Sequence, residues 1–241
     1  MKHAAEVAFL FDVDDTLLDN DRFESDLRAW LDVELGAGSS DAYWKAFETQ
    51  RAERDYADFI GALQRCFEAS GRDPRWLRAG DYLLDYPFHR RLYPEALEVL
   101  ERAQTLGPTW IITDGDGVMQ PRKLRRSGIW KAVSGHVRIY VHKEHHLADI
   151  ESICPAEHYV FVDDKLRILN AVKADWQARV TTVQPRQGHY ARQSAEDTQQ
   201  PADLTMEAIA ALAAKLRREG AAAFVKSRRE LIDEIGNGHK A

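Results

Sequence analysis

The sequence predicts an α/β protein: a Rossmann-like, doubly wound parallel sheet with an inserted α-helical cap domain. Three observations predict it. Short apolar runs rich in β-branched and aromatic residues recur along the chain, helical stretches separate them, and residues 20–88 carry helical text with no clear strand.

The first run is Val7–Phe11, within VAFLFDVDDTLLDN. The others are Thr109–Thr113, Val137–Val141, Tyr159–Val162 and Val180–Val183. Helical text precedes each later run, at Glu95–Leu106, Arg122–Ser127, Leu147–Ile153 and Ile168–Trp176. Leu106-Gly107-Pro108 reads as a helix stop, because glycine past a helix end followed by proline cannot continue it. After the fifth run, Gln184–Leu204 is polar and turn-rich and reads as an exposed loop. Met206–Arg218 and Ala221–Ile235 then read as two helices.

The strandless interval is far longer than a loop needs. Its aromatics, among them Phe23, Trp30, Tyr43, Phe47, Phe59 and Trp76, are expected to form mostly its own core. The expected division is a core domain of residues 1–19 and 89–241 with a cap of residues 20–88.

With 44% hydrophobic residues, the 241-residue chain can bury a sizeable core. Its net charge of -6 is spread over interspersed acids and bases, which gives no reason to expect a nucleic-acid or membrane partner. Cys66 and Cys154 lie far apart and make neither a zinc spacing nor a disulfide framework, so a reducing cytoplasm is expected. The apolar run at the N-terminus is too short for a signal peptide.

Chemistry gathers where the predicted strands end. The first ends in Asp12, Asp14 and Asp15, the second in Thr113-Asp114-Gly115, and the fourth in Asp163-Asp164, while Lys143 follows the third. In open parallel sheets ligands bind beyond these carboxyl ends. Buried carboxylates must neutralise, pair with cations or hold a metal, and an all-oxygen site suits magnesium. A lone Asp pair at a strand end is usually a turn or a cap; acids on three strand ends with a lysine are harder to explain that way. An EF-hand does not fit, since Leu17 stands where its glycine belongs.

These segments resemble the haloacid dehalogenase superfamily. FDVDDTLLD is similar to its first motif, IITDG to the second, YVHKE to the third and YVFVDD to the fourth. The resemblance spans residues 6–190 and implies a helical cap between the first two motifs. It implies Asp12 as a nucleophile that forms an aspartyl-phosphate and Asp14 as general acid and base. Thr113, with the backbone N–H groups around Asp114 and Gly115, would hold the phosphoryl oxygens, and Lys143 would offset charge. Asp12, the Asp14 carbonyl and Asp164 would hold Mg2+.

The chain departs from the pattern in two places. Lys143 is followed by Glu-His-His where proline is usual, which leaves Lys123 of QPRKLRRSG as a rival lysine. Ile168 stands where a further Asp or Asn is often found, with Asn170 close by, which shifts expected metal ligation toward Asp163. Otherwise PRKLRRSG reads as a solvated helix face, and His142, His145 and His146 as solvated loop histidines.

The expected activity is a magnesium-dependent phosphatase acting on a small phosphorylated metabolite, as a monomer or homodimer. The alternatives are a 2-haloacid dehalogenase-type hydrolase, which has no need of Asp14, a phosphomutase, and a non-catalytic binding or regulatory protein of the same fold. Trp44, Lys45, Arg51 and Arg54 are the candidates for contacts to the substrate from the cap.

Overall fold

The computed structural model describes residues 4–193 and 200–224. In chain order its elements begin with β1 (Ala5–Phe11), followed by four helices: α1 (Asn20–Leu35), α2 (Ser39–Arg54), α3 (Phe59–Ala69) and α4 (Arg75–Asp85). Then come α5 (Ala96–Leu106), β2 (Thr109–Asp114), α6 (Met119–Ser127), α7 (Ile129–Ala132) and β3 (Val137–Tyr140). They are followed by α8 (Leu147–Ile153), β4 (Ala156–Val162), α9 (Leu166–Trp176) and β5 (Val180–Pro185). The described chain closes with α10 (Gly188–Gln193), β6 (Leu204–Met206) and α11 (Ile209–Glu219).

Among the described residues the strands form one parallel sheet in the order β3-β2-β1-β4-β5-β6. The chain winds outward from β1 to β3, then returns to build β4 on the other side of β1. That reversal opens a crevice at the carboxyl ends of β1 and β4. Both faces of the sheet are covered, so β1 is apolar on both sides and Val7 to Phe11 are all buried. Phe9 and Phe11 face one core layer, Ala8 and Leu10 the other.

Two expectations need correction. Gln184–Leu204 is not one loop, because it carries α10 and leads into β6, which pairs with β5 through Val183 and Leu204. Three residues give too short a run for periodicity to reveal a strand; Asp203 holds it in register, accepting from Thr182 N–H at 2.9 Å and from Lys173 Nζ at 2.7 Å. Leu106-Gly107-Pro108 does stop a helix, since α5 ends at Leu106, and Gly107 adds a close approach. Its backbone is extended, and a Cβ there would lie 2.2 Å from the Val7 carbonyl oxygen, so glycine lets α5 end against β1. Of the expected helix Ala221–Ile235, the first three residues form a 3-10 turn and all beyond Phe224 lies outside the described residues.

Helices α1 to α4 stand together over one end of the sheet. Asp19 caps α1 by accepting from Arg22 N–H at 2.8 Å, and Asp58 caps α3 by accepting from Gly61 N–H at 2.6 Å. Their shared core is aromatic: Phe23 packs on Phe59 and Phe88 with ring centroids 5.4 and 5.0 Å apart, and Phe47 on Phe59 at 4.7 Å. Tyr43, fully buried, donates its hydroxyl to the Phe59 carbonyl at 2.8 Å. Ties to the core run through Arg122 and Asp85 (2.8 Å) and through Arg51 and the Tyr190 hydroxyl (3.1 Å). No helix among the described residues is long and apolar enough to cross a membrane.

Candidate active site

Each strand end delivers its group by the same local logic: an apolar strand is anchored in the sheet, so the first polar residue beyond it emerges at the crevice. Asp12 follows β1, with its N–H donating to the Val162 carbonyl of the neighbouring strand at 2.9 Å. Asp163 and Asp164 follow β4, and Lys143 follows β3 after a turn. That turn is fixed by Asp114 Oδ1, which accepts from the Lys143 N–H at 2.9 Å.

Asp12, Asp163 and Asp164 are all buried, and one carboxylate oxygen from each lies within 4.8 Å of the others. Lys143 Nζ enters this cluster. It is 2.5 Å from Asp12 Oδ1, 2.6 Å from Asp163 Oδ2 and 3.2 Å from the Ile112 carbonyl. Burial alone would strip the proton from Lys143, but Asp12, Asp163 and Asp114 more than reverse it and push its affinity for that proton up. Burial also raises Asp163 to about 6, opposed by Lys143 and reinforced by Asp12, and pushes Asp164 well above its ordinary value.

One lysine does not satisfy three buried carboxylates. Asp12 Oδ2 and both oxygens of Asp164 have no hydrogen-bond partner. Buried acceptors are rarely left so. An oxygen-only cluster with open lone pairs suits a hard divalent cation, so the residues present fit magnesium.

Asp14 stands apart from that cluster. Its Oδ1 accepts from Lys123 Nζ at 2.6 Å, and Gln120 Nε2 reaches its Oδ2 at 3.3 Å. Gln120 Nε2 also donates to Thr113 Oγ1 at 2.9 Å. The solvated-face reading of PRKLRRSG therefore fails at Lys123, which is 1% exposed and also donates to Asn20 Oδ1 at 2.9 Å. The two rival lysines are both in the site, Lys143 on Asp12 and Lys123 on Asp14. Single-sequence charge patterning could not reveal this, because α6 turns one face inward beneath the helical layer while Arg125 remains exposed.

Asp15, the third acid of the first motif, has a structural task. Its Oδ1 accepts from the N–H groups of Asn20 and Asp21 at 3.0 and 3.3 Å and so caps the start of α1. Burial raises it to about 7, helped by Asp21 and Asp14. Gly188, at φ 68°, lies against it; a Cβ there would be 2.4 Å from the Asp15 Cβ.

A cavity of about 390 Å³ opens between the strand ends and the helical layer, lined among others by Asp14, Gly115, Phe59, Arg51, Lys165 and Tyr190. Of the four cap candidates only Arg51 lines it. Arg54 pairs with Asp58 at 2.8 Å, and Trp44 lies under the Arg28 guanidinium at 3.9 Å. The expected phosphoryl donor at Gly115 needs correcting, since its N–H already donates to the Tyr140 carbonyl at 3.0 Å. Asn170 is not at the cluster; its amide donates to the carbonyls of Leu166 and Gln200. His142 pairs with Asp55 of the helical layer at 2.5 Å, and His146 stacks on Tyr140.

Lys165, Gln120, Asn20 and Tyr190 are the site residues that sequence reasoning missed. Only Lys165 carried a signal, as a cation directly after two aspartates. Burial would lower its proton affinity, but Asp164, Asp12 and Asp163 raise it overall, and its ammonium sits 4.8 Å from the Tyr190 ring.

The profile of the haloacid dehalogenase-like hydrolases matches residues 7–174. The chain belongs to that family. A haloacid dehalogenase-like hydrolase of Burkholderia xenovorans LB400, named no more specifically, is 52% identical, with a TM-score of 0.81 over 87% of this chain and 98% of that one. A hydrolase of the family from Bacillus subtilis bound to magnesium is 17% identical, with a TM-score of 0.60 over 88% and 99% of the two chains. L-2-haloacid dehalogenase of Xanthobacter autotrophicus, with chloropropionic acid covalently bound, is 16% identical, with a TM-score of 0.55 over 88% and 98%. The last two likenesses concern the fold alone. No curated protein matches. Within the haloacid dehalogenase-like fold, Asp12, Asp14, Thr113, Lys143, Asp163 and Asp164 occupy one end of the sheet, as the crevice rule requires.

Proposed function

We propose that this haloacid dehalogenase-like hydrolase is a magnesium-dependent phosphatase acting on a small phosphorylated metabolite. The observation that carries the reading is the cluster of Asp12, Asp163 and Asp164, which retains unpartnered buried oxygens although Lys143 is already paired within it. Displacing a halide needs a nucleophile and no cation, whereas phosphoryl transfer gathers charge that must be neutralised.

Asp12, Asp163 and Asp164, with the Asp14 carbonyl, would hold the ion, which neutralises charge on the transferring group. Lys143 fixes the Asp12 carboxylate for attack on phosphorus. An Asp12 oxygen–phosphorus bond forms as the bond to the leaving oxygen breaks, giving an aspartyl-phosphate. Thr113, oriented by Gln120, faces the phosphoryl group. Asp14 is the proton-transfer group for the leaving oxygen and the incoming water. Water then cleaves the aspartyl-phosphate and regenerates Asp12. The helical layer shields these steps from bulk water and contacts the rest of the substrate through Arg51 and Phe59.

The deciding assay offers 4-nitrophenyl phosphate and 2-chloropropionate to the purified protein, with magnesium and with chelator. Phosphate release that requires magnesium is expected. Chloride release indifferent to chelator, with no phosphate release, would establish the dehalogenase instead.

A further inference from the structure

Two cations on the cavity wall have no acid to answer them. Five acids line the cavity, and each already has a donor within the protein. Asp14 pairs with Lys123 at 2.6 Å and Asp55 with His142 at 2.5 Å. Asp15 accepts from the Asn20 N–H at 3.0 Å, Asp114 from the Lys143 N–H at 2.9 Å, and Glu24 from the Asn20 side-chain amide at 2.9 Å. Of the cationic and histidine side chains on the wall, His142 has Asp55, His189 has Asp21 and Arg167 has Glu144. Arg51 and Lys165 are left over. Among the described residues neither has a carboxylate within ion-pair distance. Arg51 donates to the Tyr190 hydroxyl at 3.1 Å, and the Lys165 ammonium stands over the ring of the same tyrosine at 4.8 Å.

Lys165 follows directly on Asp164, whose two carboxylate oxygens are buried without partners. It makes no ion pair with them and lies over Tyr190 instead. The transferred group is served from the other flank of β1, by Thr113 on β2 and Lys143 after β3, whereas Lys165 follows β4 and Tyr190 follows β5. Phe47, Ala57, Phe59 and Leu166 give the same cavity an apolar wall. Arginine and lysine with open donors on such a wall bind carboxylates and phosphates. We propose, building on the phosphatase reading, that Arg51 and Lys165 form an anion subsite for a second anionic group of the substrate, a carboxylate or a phosphate, joined to the transferred phosphate by a short carbon chain. The substrates are then phosphorylated acids or bisphosphates rather than esters of neutral alcohols. The cavity of about 390 Å³ holds a molecule of that size. Arg51 comes from the helical layer and Lys165 from the sheet, so the anion would also join the two.

The test is calorimetric binding to the magnesium-loaded protein, which needs no turnover. The probes are 3-phosphonopropionate, ethane-1,2-bisphosphonate and propylphosphonate, which carry a carboxylate, a second phosphonate and a methyl group on the same ethylene link, with their longer homologues. The best-fitting anionic probe should bind at least about 30-fold more tightly than its alkyl match, within the range of hydrogen bonds to a charged group. Arg51→Met and Lys165→Met should each cut that ratio about tenfold. Arg51→Lys and Lys165→Arg should keep part of it, since they retain the charge. A preference for the carboxylate or for the second phosphonate supports the subsite and names its anion. Equal binding of anionic and alkyl probes by wild type overturns the proposal, as do Met variants that weaken every probe by one common factor. Should a variant not fold, the wild-type comparison still decides, because it needs no substitution. Binding of all the phosphonates without discrimination removes the subsite alone. Failure of every phosphonate to bind, with no turnover of 4-nitrophenyl phosphate, removes the phosphatase reading and the subsite with it.

Discussion

Lys143, which follows β3, and Asp12, which follows β1, are 131 residues apart in sequence and meet at the carboxyl ends of the strands as a buried ion pair in which Lys143 Nζ lies 2.5 Å from Asp12 Oδ1. Asp163 Oδ2 shares the ammonium at 2.6 Å. Lys143→Ala should therefore lower kcat by about 100-fold or more, since the charge it offsets grows during transfer. It should also cost the metal-free protein about 3–5 kcal/mol, because buried carboxylates lose their cation. Turnover and urea unfolding in chelator measure the two effects; a stable variant retaining half of its activity would show that the pair is incidental.

Asp12→Asn should abolish turnover and leave the fold intact, because an amide cannot attack as a carboxylate does. Removing one of three clustered charges should also raise the melting temperature in chelator. More than a tenth of wild-type activity in the purified variant would sink the nucleophile assignment.

Magnesium should stabilise the protein, and more so as pH rises. Asp163 is raised to about 6 in the folded chain, so the folded form holds a proton that the unfolded form has already released above the ordinary carboxylate range. In chelator, stability from this group is present at low pH and is lost as pH climbs through about 4 to 6. Magnesium competes with that proton, so its stabilisation should be small near pH 5 and full by about pH 7.5. Melting curves at both values, with magnesium and with chelator, test it; an equal shift at each pH would contradict ligation by these carboxylates.

Lys123→Ala is expected to be damaging, unlike a change on a solvated helix. Its buried ammonium has Asp14 as ion-pair partner, so removal should cost about 3–5 kcal/mol and slow 4-nitrophenyl phosphate turnover by about 10-fold or more. Arg125→Ala, on the exposed face of the same helix, is the control and should change stability by about 0.5 kcal/mol or less.

Arg51 reaches from α2 across the cavity mouth to the Tyr190 hydroxyl at 3.1 Å. Arg51→Met should alter the ranking of substrates that differ beyond the phosphate, by about 10-fold between best and worst, because remote contacts set specificity. A panel of phosphorylated metabolites checks this. One common factor for all substrates would make the contact purely structural.

The sequence by itself determined the sheet and the strand ends, for a physical reason. Val7–Phe11 and Tyr159–Val162 are apolar on both faces because both faces are covered, and the polar residue after such a run has nowhere to go but the crevice. Asp12, Thr113, Lys143, Asp163 and Asp164 were legible in that way. Contacts between distant segments were not. Lys123 looks like one more base in a polar helix until α1, α3 and the 3-10 turn at Phe88 close Phe23, Phe59 and Phe88 around it. The three-residue β6, the carbonyl partner of Gly115, the approach of Gly188 to Asp15 and the reach of Arg51 to Tyr190 likewise depend on which surfaces meet. Local patterning fixes where a chain is apolar, whereas the partner of a buried charge is chosen only when packing removes water from both.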